Sequence, residues 1–425
     1  MPNSAPGFVS RPDYRVDLLP AGRRVTVKFG GVTIADSSEA LRVEETGHGP
    51  VYYLPQWDTF ALSRFADIWD VLAINDGTFV ASEGTLPPAT VLARHNQGPV
   101  ADPPWDPLPF HAVFDAPIYD GVRRAHSQPF RPKSAAGWEA RIRELANDRL
   151  DELLPRGTFD LTQDYGGIVV ASVVCELLGI PVEFAADVLA SVNAGSLAEP
   201  GSGVDTAEAR PNYLEYLIPA VRGRRADADD GQLPVVDGLL GYRLPDDRAL
   251  GDVEVATQML CVFIGGTETV PKVVAHGLWE LLRHPDQLAA VRADPAGNVP
   301  VAREEMIRYC APAQWFARTA RKPFTIHDTT IEPGQRIITL LASANRDERE
   351  YAQPDEFVWK RPIARSLAFG RGQHFCLGYH LARLEIAVLV SEWLRRVPDY
   401  RIIDEAAFRP PSSFQWGWSR LPVEV

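Results

Sequence analysis

The stretch that decides the fold of this chain is Phe369-Gly370-Arg371-Gly372-Gln373-His374-Phe375-Cys376-Leu377-Gly378. It runs directly into YHLARLEIAVLVSEWL, whose apolar spacing predicts an amphipathic helix. Gly370 and Gly372 allow a tight turn whose amides face inward. A cysteine at a helix start gains from the helix dipole and from nearby N–H donors, which lower the pKa of its thiol. Gly378 leaves room for a flat ligand, so the stretch predicts Cys376 as a thiolate ligand to a metal-bearing group.

The other three cysteines lie in apolar helical contexts. Cys175, Cys261 and Cys310 are predicted to be small core side chains. No C-x-x-C pair occurs, so a zinc site built from thiolates is not predicted.

Charge and hydropathy exclude two classes of partner. The net charge of −13 over 425 residues argues against nucleic-acid binding, which needs clustered cations. No 18-residue apolar run occurs, and the N-terminus has neither the apolar region nor the cleavage site of a signal peptide. We therefore expect a cytoplasmic protein without a membrane anchor.

The distribution of periodic segments predicts a fold that is mainly α with small antiparallel β-sheets. The longest helix is expected from about residue 252 to 284. Residues 324–340 predict a hairpin, in which FTIHDTTI and QRIITL pair across the turn Glu332-Pro333-Gly334. Residues 1–45 contain strand-like runs and read as a β-rich extension.

The longest predicted helix carries glycines and a proline in its interior, in the stretch IGGTETVP at 264–271. Pro271 cannot donate a hydrogen bond to the carbonyl of Thr267, which bends the helix. The bend places an acid and an alcohol side by side, at Glu268 and Thr269.

The glycine-flanked cysteine loop resembles the signature F-G-x-G-x-H-x-C-x-G of cytochromes P450 and matches it at every defined position. The resemblance extends over roughly residues 45–425. It implies a single P450 haem domain at 46–425 behind the extension 1–45. It also implies haem b as the cofactor, with Cys376 as the axial ligand and Phe369, Gly370 and Gly378 around it.

The helical motif is similar to the family's A/G-G-x-D/E-T element. This similarity implies that Gly265 lies against the haem and that Glu268 and Thr269 deliver protons for O2 activation. The activity implied is that of a monooxygenase. Two alternatives remain, a peroxide-driven peroxygenase and a haem-binding sensor, and neither needs the acid–alcohol pair.

Further residues match the family's supporting motifs. Glu305 and Arg308 form an E-x-x-R pair that Arg361 closes, which implies a buried structural network. The haem propionates are expected to contact four polar side chains, those of His374, Arg318, Arg123 and Tyr119. Tyr119 stands where bacterial members usually have histidine.

The electron donor and the substrate follow from the same resemblance. The chain contains nothing like a flavin or iron–sulfur module, so a separate ferredoxin or flavodoxin with its reductase is expected. Arg371, Arg383, Arg395 and Arg396 are candidates for a cationic docking face. Family positions predict a pocket for a small apolar guest, either aromatic or aliphatic, with methoxy-aromatics, terpenes, fatty acids and polyketides left open. The predicted pocket residues are Trp105, Phe110, Phe263, Gln314, Trp315, Phe316, Phe414 and Trp416.

Overall fold

The computed structural model describes residues 59–425 apart from 88–90, 92–95, 97, 196–209, 228–232, 328, 410–411 and 413. Between residues 16 and 54 it describes the backbone of five strands. The predicted extension 1–45 therefore lies partly outside the described residues.

Short strands gather near the two ends of the chain. They are β1 (Val16–Pro20), β2 (Val25–Phe29), β3 (Val32–Ser37), β4 (Leu41–Glu45), β5 (Val51–Leu54), β6 (Thr59–Leu62), β7 (Phe79–Val80), β8 (Thr158–Asp160), β9 (Phe316–Ala320), β10 (Phe324–Ile326), β11 (Thr329–Ile331), β12 (Arg336–Thr339), β13 (Arg401–Ile402) and β14 (Pro422–Glu424).

The largest sheet joins N-terminal strands to strands from the second half of the chain. Its order is β1-β4-β5-β6-β12-β9-β7, and β12 pairs in parallel with β6 but antiparallel with β9. Three smaller sheets are formed by β2-β3, β10-β11 and β13-β14-β8.

Helices make up most of the regular secondary structure in the described part of the chain. They are α1 (Phe65–Ala73), α2 (Ile118–His126), α3 (Pro132–Ala136), α4 (Glu139–Leu153), α5 (Ile168–Leu178), α6 (Ala185–Gly195), α7 (Arg210–Ala226), α8 (Pro234–Gly241), α9 (Asp252–Arg283), α10 (Pro285–Ala293), α11 (Pro295–Cys310), α12 (Leu341–Ala344) and α13 (Tyr379–Arg396). The predicted class, mainly α with small sheets, is confirmed.

Two apolar helices form the centre of the largest core. Helix α5 is buried at nearly every position, and α9 spans 32 residues through the same core. Within the described residues, Leu161–Leu178 is long and apolar enough to cross a membrane, but 78% of it is buried inside the protein. That burial is typical of a core helix, since a helix that is apolar all round must be covered.

The longest helix lies where the sequence predicts it, but the predicted hairpin at 324–340 is wrong. FTI and TTI pair with each other across His327, whose φ of 51° makes the turn. Strand β12, which contains RIIT, is buried at all four positions and pairs with β6 and β9 instead. A strand that is apolar on both faces suits the middle of a sheet better than an exposed hairpin.

Candidate active site

The backbone of the cysteine loop is closed by its own hydrogen bonds. Cys376 N donates to Phe369 O at 2.9 Å, and Phe375 N donates to Gly372 O at 3.0 Å. Gly372 has a φ of 73°, and a Cβ there would lie 1.9 Å from Leu72 O at the end of α1. Only glycine fits this position, because both the backbone angle and the close approach exclude a side chain.

The thiol of Cys376 is less acidic than the sequence predicts. Burial raises its pKa, while the N–H of Gly378 and the charges of Arg123 and Arg383 oppose that rise. The expectation of a lowered pKa is wrong for the metal-free chain, because loss of solvation outweighs the donors. A cationic ligand would reverse the balance, since metals bind the thiolate form.

Open space lies beside three glycines that the sequence analysis singled out. A Cβ built on Gly265, Gly370 or Gly378 would meet no atom within 4 Å. Gly265 is exposed although it lies in the middle of α9, most of whose residues are buried. Cys261, one turn earlier on α9, has a pKa of about 11, raised by burial and by its electrostatic interaction with Cys376. Helix α9 therefore faces the cysteine loop, with room for a flat group beside both.

Arg318, on β9, lacks a carboxylate partner within the described part of the chain. Its guanidinium donates to Ala317 O at 2.7 Å, and burial lowers its pKa. Arg318 is partly buried and has no ion pair with a carboxylate among the described residues, so its guanidinium fits an anionic ligand.

The imidazole of His374, in the cysteine loop, is a second polar group that could bind an anionic ligand. Its Nε2 is buried without a hydrogen-bond partner and lies 3.8 Å from Asp115 Oδ1. Burial, and then the charge of Arg318, lower the pKa of His374 to about 4.

Tyr119 and Arg123, both on α2, lie beside the same loop. The ring centroids of Tyr119 and His374 are 4.0 Å apart. Arg123 donates to Tyr119 Oη at 2.9 Å and to Phe375 O at 2.5 Å. The structure thus brings Tyr119, Arg123 and His374 together at the cysteine loop.

The acid and the alcohol of α9 have different partners. Glu268 is buried and its Oε1 accepts a hydrogen bond from Lys272 Nζ, one turn along the helix, whereas its Oε2 has no partner among the described residues. Thr269 Oγ1 donates to Gly265 O at 3.1 Å. Lys272 was not predicted as a partner of Glu268, although its i+4 spacing in the sequence indicates such a pair.

Glu305, Arg308 and Arg361 meet in a buried network. Arg308 donates from Nε and NH2 to the two oxygens of Glu305 at 2.7 and 2.8 Å. Arg361 Nε donates to Glu305 Oε1 at 3.1 Å. The side chains of Glu305 and Arg308 are both 0% exposed.

Six of the eight predicted pocket residues fall into two groups. Trp315 and Phe316 lie 6.1 and 5.6 Å from Phe414, ring centroid to ring centroid, and form one aromatic cluster. Gln314 N donates to Phe414 O at 2.9 Å and so ties this cluster to the C-terminal turn. Trp105 and Phe110 are half-buried before α2.

Two of the predicted pocket residues have other neighbours. Phe263 is fully buried, 5.4 Å from the ring of Tyr213 on α7. The ring centroid of Trp416 lies 4.4 Å from that of His276 on α9, with the two rings tilted by 45°. Core packing accounts for both side chains, so these contacts add no support for a pocket role.

Two predictions about other side chains change with the structure. Cys175 and Cys310 are buried as expected, but Cys261 is only partly buried. Of the arginines considered for a docking face, three are paired with acids: Arg383 with Glu304, Arg395 with Glu392, and Arg396 with Asp151. Arg371 lies 3.7 Å from the ring of Trp69.

Comparison with known proteins gives matches over most of the chain. Residues 204–397 match the family model for cytochrome P450, and residues 17–65 match a domain of unknown function (DUF427). Cytochrome P450 130 of Mycobacterium tuberculosis is 31% identical over 84% of this chain and 87% of the relative. Vitamin D(3) 25-hydroxylase of Pseudonocardia autotrophica is 30% identical over 91% and 92%.

A solved structure gives the same result. A mutant of P450 EryK in complex with erythromycin B superposes with a TM-score of 0.75 at 26% identity, covering 89% of this chain and 94% of that one. Cytochromes P450 carry a haem-thiolate cofactor, use O2 and redox partners, and oxidise organic substrates. With relatives at this identity matching nearly end to end, this chain belongs to the cytochrome P450 family of monooxygenases.

Proposed function

We propose that the chain inserts one oxygen atom from O2 into a small apolar organic substrate, by hydroxylation or O-demethylation, with haem b held by Cys376. The observation that carries this proposal is the open space beside Gly265, Gly370 and Gly378, together with the partly buried thiol of Cys376 in the same loop. A porphyrin is flat and needs such space. When bound, a haem-thiolate centre activates O2 and transfers one oxygen atom to the substrate.

The donors available nearby also fit a porphyrin, whose propionates are two carboxylates. Arg318 is partly buried without a carboxylate partner within the described residues, and His374 Nε2 is buried without a hydrogen-bond partner there. Arg123, supported by the hydroxyl of Tyr119, is a third donor. These groups would satisfy the propionates and gain the counter-ions that they lack.

Glu268 and Thr269 are proposed to move protons on the oxygen side of the site. Lys272 holds Oε1 of Glu268, while Oε2 has no partner among the described residues and can take up or release a proton. The hydroxyl of Thr269 lies next along the helix and donates to a backbone carbonyl, so it can exchange that bond for one to a ligand.

Glu268 and Thr269 also favour an O2-dependent monooxygenase over the two alternative functions. A peroxide-driven peroxygenase or a haem-binding sensor has no use for a buried acid with a free oxygen beside an alcohol. The burial of Glu268, three residues before Pro271 in α9, therefore favours the O2-dependent monooxygenase.

The substrate class rests on the aromatic cluster of Trp315, Phe316 and Phe414. Aromatic walls favour apolar guests with flat surfaces. The relative named vitamin D(3) 25-hydroxylase and the structural neighbour that holds erythromycin B take larger molecules. A screen of small methoxy-aromatics, terpenes, fatty acids and macrolides for the Soret shift on binding would separate these classes.

Electrons are proposed to come from a separate ferredoxin or flavodoxin with its reductase, in the cytoplasm. Because Arg383, Arg395 and Arg396 are already paired with acids, the docking face would be less cationic than the sequence suggests. Reduction rates measured with each purified donor would identify the partner class.

The domain boundary is likewise a proposal. We place a β-rich extension at 1–45 and a single P450 domain at 46–425. Pairing of β5 with β6 supports the inclusion of residues 51–54 in the domain, although the match to the domain of unknown function runs from 17 to 65 across this boundary.

Replacement of the proposed thiolate tests the central assignment. Cys376→Ser should abolish the red-shifted Soret band of the reduced carbon-monoxide complex, because oxygen ligation does not reproduce thiolate donation. Cys175→Ser, a change at a buried cysteine of α5, is the matched control and should keep the band. A Cys376→Ser protein that retains the band would refute the assignment.

A further inference from the structure

Three potential metal ligands converge beside the proposed haem site, and none of them is among the residues proposed to hold the haem. His111 lies in the short 3-10 turn His111–Val113, His126 ends α2, and Cys261 lies on α9. Each residue offers one ligand atom, and these atoms all lie within 4.8 Å of one another. His111 and His126 are buried, and Cys261 is partly buried.

The hydrogen bonds of His126 define its tautomer. Its Nδ1 lies 2.7 Å from Val122 O. A carbonyl oxygen only accepts, so Nδ1 carries the proton and Nε2 presents a lone pair. That Nε2 is buried and has no hydrogen-bond partner among the described residues.

His111 is oriented in the same way by Gln258 on α9. The amide nitrogen of Gln258 donates to Pro109 O at 3.0 Å, so its Oε1 is the acceptor that faces His111. This Oε1 accepts from the backbone N–H of His111 at 2.9 Å and lies 3.2 Å from His111 Nδ1. Nδ1 is therefore the protonated nitrogen, and Nε2 of His111 also presents a lone pair.

The three side chains cannot satisfy one another. The lone pair of His126 Nε2 is buried without a hydrogen-bond donor among the described residues, so the weak S–H group of Cys261 does not satisfy it. Protonation does not solve the problem, because burial lowers the pKa of His126 to about 4 and holds the pKa of His111 well below its usual value. A cation would satisfy all three groups at once.

We propose that His111, His126 and Cys261 bind a thiophilic divalent cation of the Zn²⁺ class. Two neutral imidazoles and one thiolate form a ligand set that zinc prefers. Both imidazoles donate their other ring N–H to a carbonyl oxygen, as ligating histidines do in metal sites. Binding displaces the proton of the Cys261 thiol, which leaves to solvent, so one proton is released per cation bound.

The site has a consequence for the fold around the cofactor. The three ligands come from the segment before α2, from the end of α2 and from α9, so one cation would cross-link these elements. A three-ligand site leaves a coordination position open. Because Cys261 is the partly exposed member, that position can take a water molecule or a small donor.

The test uses haem-loaded protein without an affinity tag, incubated with Zn²⁺ alone and dialysed against a weak chelator. Elemental analysis should give one zinc per iron in the wild type. Cys261→Ser and His126→Gln should lose most of this zinc while they keep their iron. Cys175→Ser, at a buried cysteine of α5 outside the cluster, should retain both metals.

X-ray absorption at the zinc edge keeps the proposal testable even if the variants fold poorly. Wild-type protein should show one sulfur at about 2.3 Å and nitrogens at about 2.0 Å. Absence of zinc from the wild type, or a shell without sulfur, would overturn the proposal, as would zinc retained in both variants. Iron content and the Soret band report on Cys376 separately, so failure here leaves the proposed haem ligand untouched.

Discussion

Two buried acid–cation pairs, each within one helix, differ in how completely they are satisfied. On α11, both oxygens of Glu305 are bonded to Arg308, and Arg308 also donates to Asn345 O at 2.7 Å and Pro354 O at 2.9 Å. On α9, Lys272 engages Oε1 of Glu268, and Oε2 has no partner among the described residues.

The difference indicates two roles for the same kind of motif. A fully satisfied network stabilises one arrangement, and its loss should therefore appear in folding. An acid with one free buried oxygen costs stability, which is typical of a site where the free atom is used. We therefore assign the pair on α11 to structure and the pair on α9 to proton movement.

The largest effect is expected from Glu305→Ala. The substitution strands two buried guanidinium groups, Arg308 and Arg361, and should destabilise the protein by about 3–5 kcal/mol with loss of haem. Glu144→Ala removes a well-exposed partner of Arg141 on α4 and should cost under about 1 kcal/mol. Haem per polypeptide and thermal unfolding measure both. If the Glu305→Ala and Glu144→Ala variants were equally stable, Glu305 would contribute no more than an ordinary surface ion pair.

A double-mutant cycle on α9 sharpens the contrast. Lys272→Met and Glu268→Gln should each destabilise the protein, because each leaves one buried charge unpaired. The double variant should recover about 2 kcal/mol relative to the sum of the single changes. The matched pair Arg308→Met and Glu305→Gln should recover less, because Arg361 still donates to Glu305 when Arg308 is replaced and the Arg308→Met variant therefore leaves no fully unpaired charge. Urea titrations give the four free energies of unfolding in each cycle, and equal recovery would remove the distinction.

The proposed proton path predicts a smaller, kinetic effect. Thr269→Ala should raise the barrier of oxygen activation by about 1–3 kcal/mol, so that reducing equivalents yield peroxide instead of product. Thr267→Ala is the control, because its hydroxyl makes the same kind of bond, to Phe263 O at 2.6 Å, but is fully buried. The ratio of product to NAD(P)H consumed measures coupling. Full coupling in Thr269→Ala would argue against the role of the alcohol.

The third buried pair, His276 and Glu280, also lies on α9 and predicts the smallest effect, a dependence of stability on pH. His276 Nε2 lies 3.4 Å from Glu280 Oε1, and burial lowers the pKa of His276 from 6.5 to about 4, although Glu280 opposes the shift. As the pH falls from 6.5 towards 4, His276 is therefore protonated in the unfolded chain but not in the folded chain. This residue should cost about 1 kcal/mol of stability between pH 6.5 and 5.5. His276→Gln should flatten that slope in denaturant titrations at each pH, and an unchanged slope would exclude His276 as its source.

Local pattern was sufficient for much of the fold and for several contacts at the site. The periodic run on α9 predicted the longest helix almost to the residue, since its apolar positions and Gly251–Asp252 start are local features. The hairpin at 324–340 failed because strand pairing depends on which distant strand offers a buried neighbour. Lys272 was missed although its i+4 spacing from Glu268 is visible in the sequence. The importance of this pair comes from its burial, which the sequence does not show.

The sequence by itself determined the family, the class of fold and the identity of the cysteine loop, because glycine, proline and cysteine constrain the backbone and the chemistry wherever they lie. Only the tertiary structure decided which polar groups remain without partners. Glu268 Oε2, His374 Nε2 and His126 Nε2 are unsatisfied because of what packs around them. Hydrogen-bond satisfaction is a property of three-dimensional neighbours, so the proposed metal site of His111, His126 and Cys261, drawn from segments up to 150 residues apart, could be found only in the folded chain.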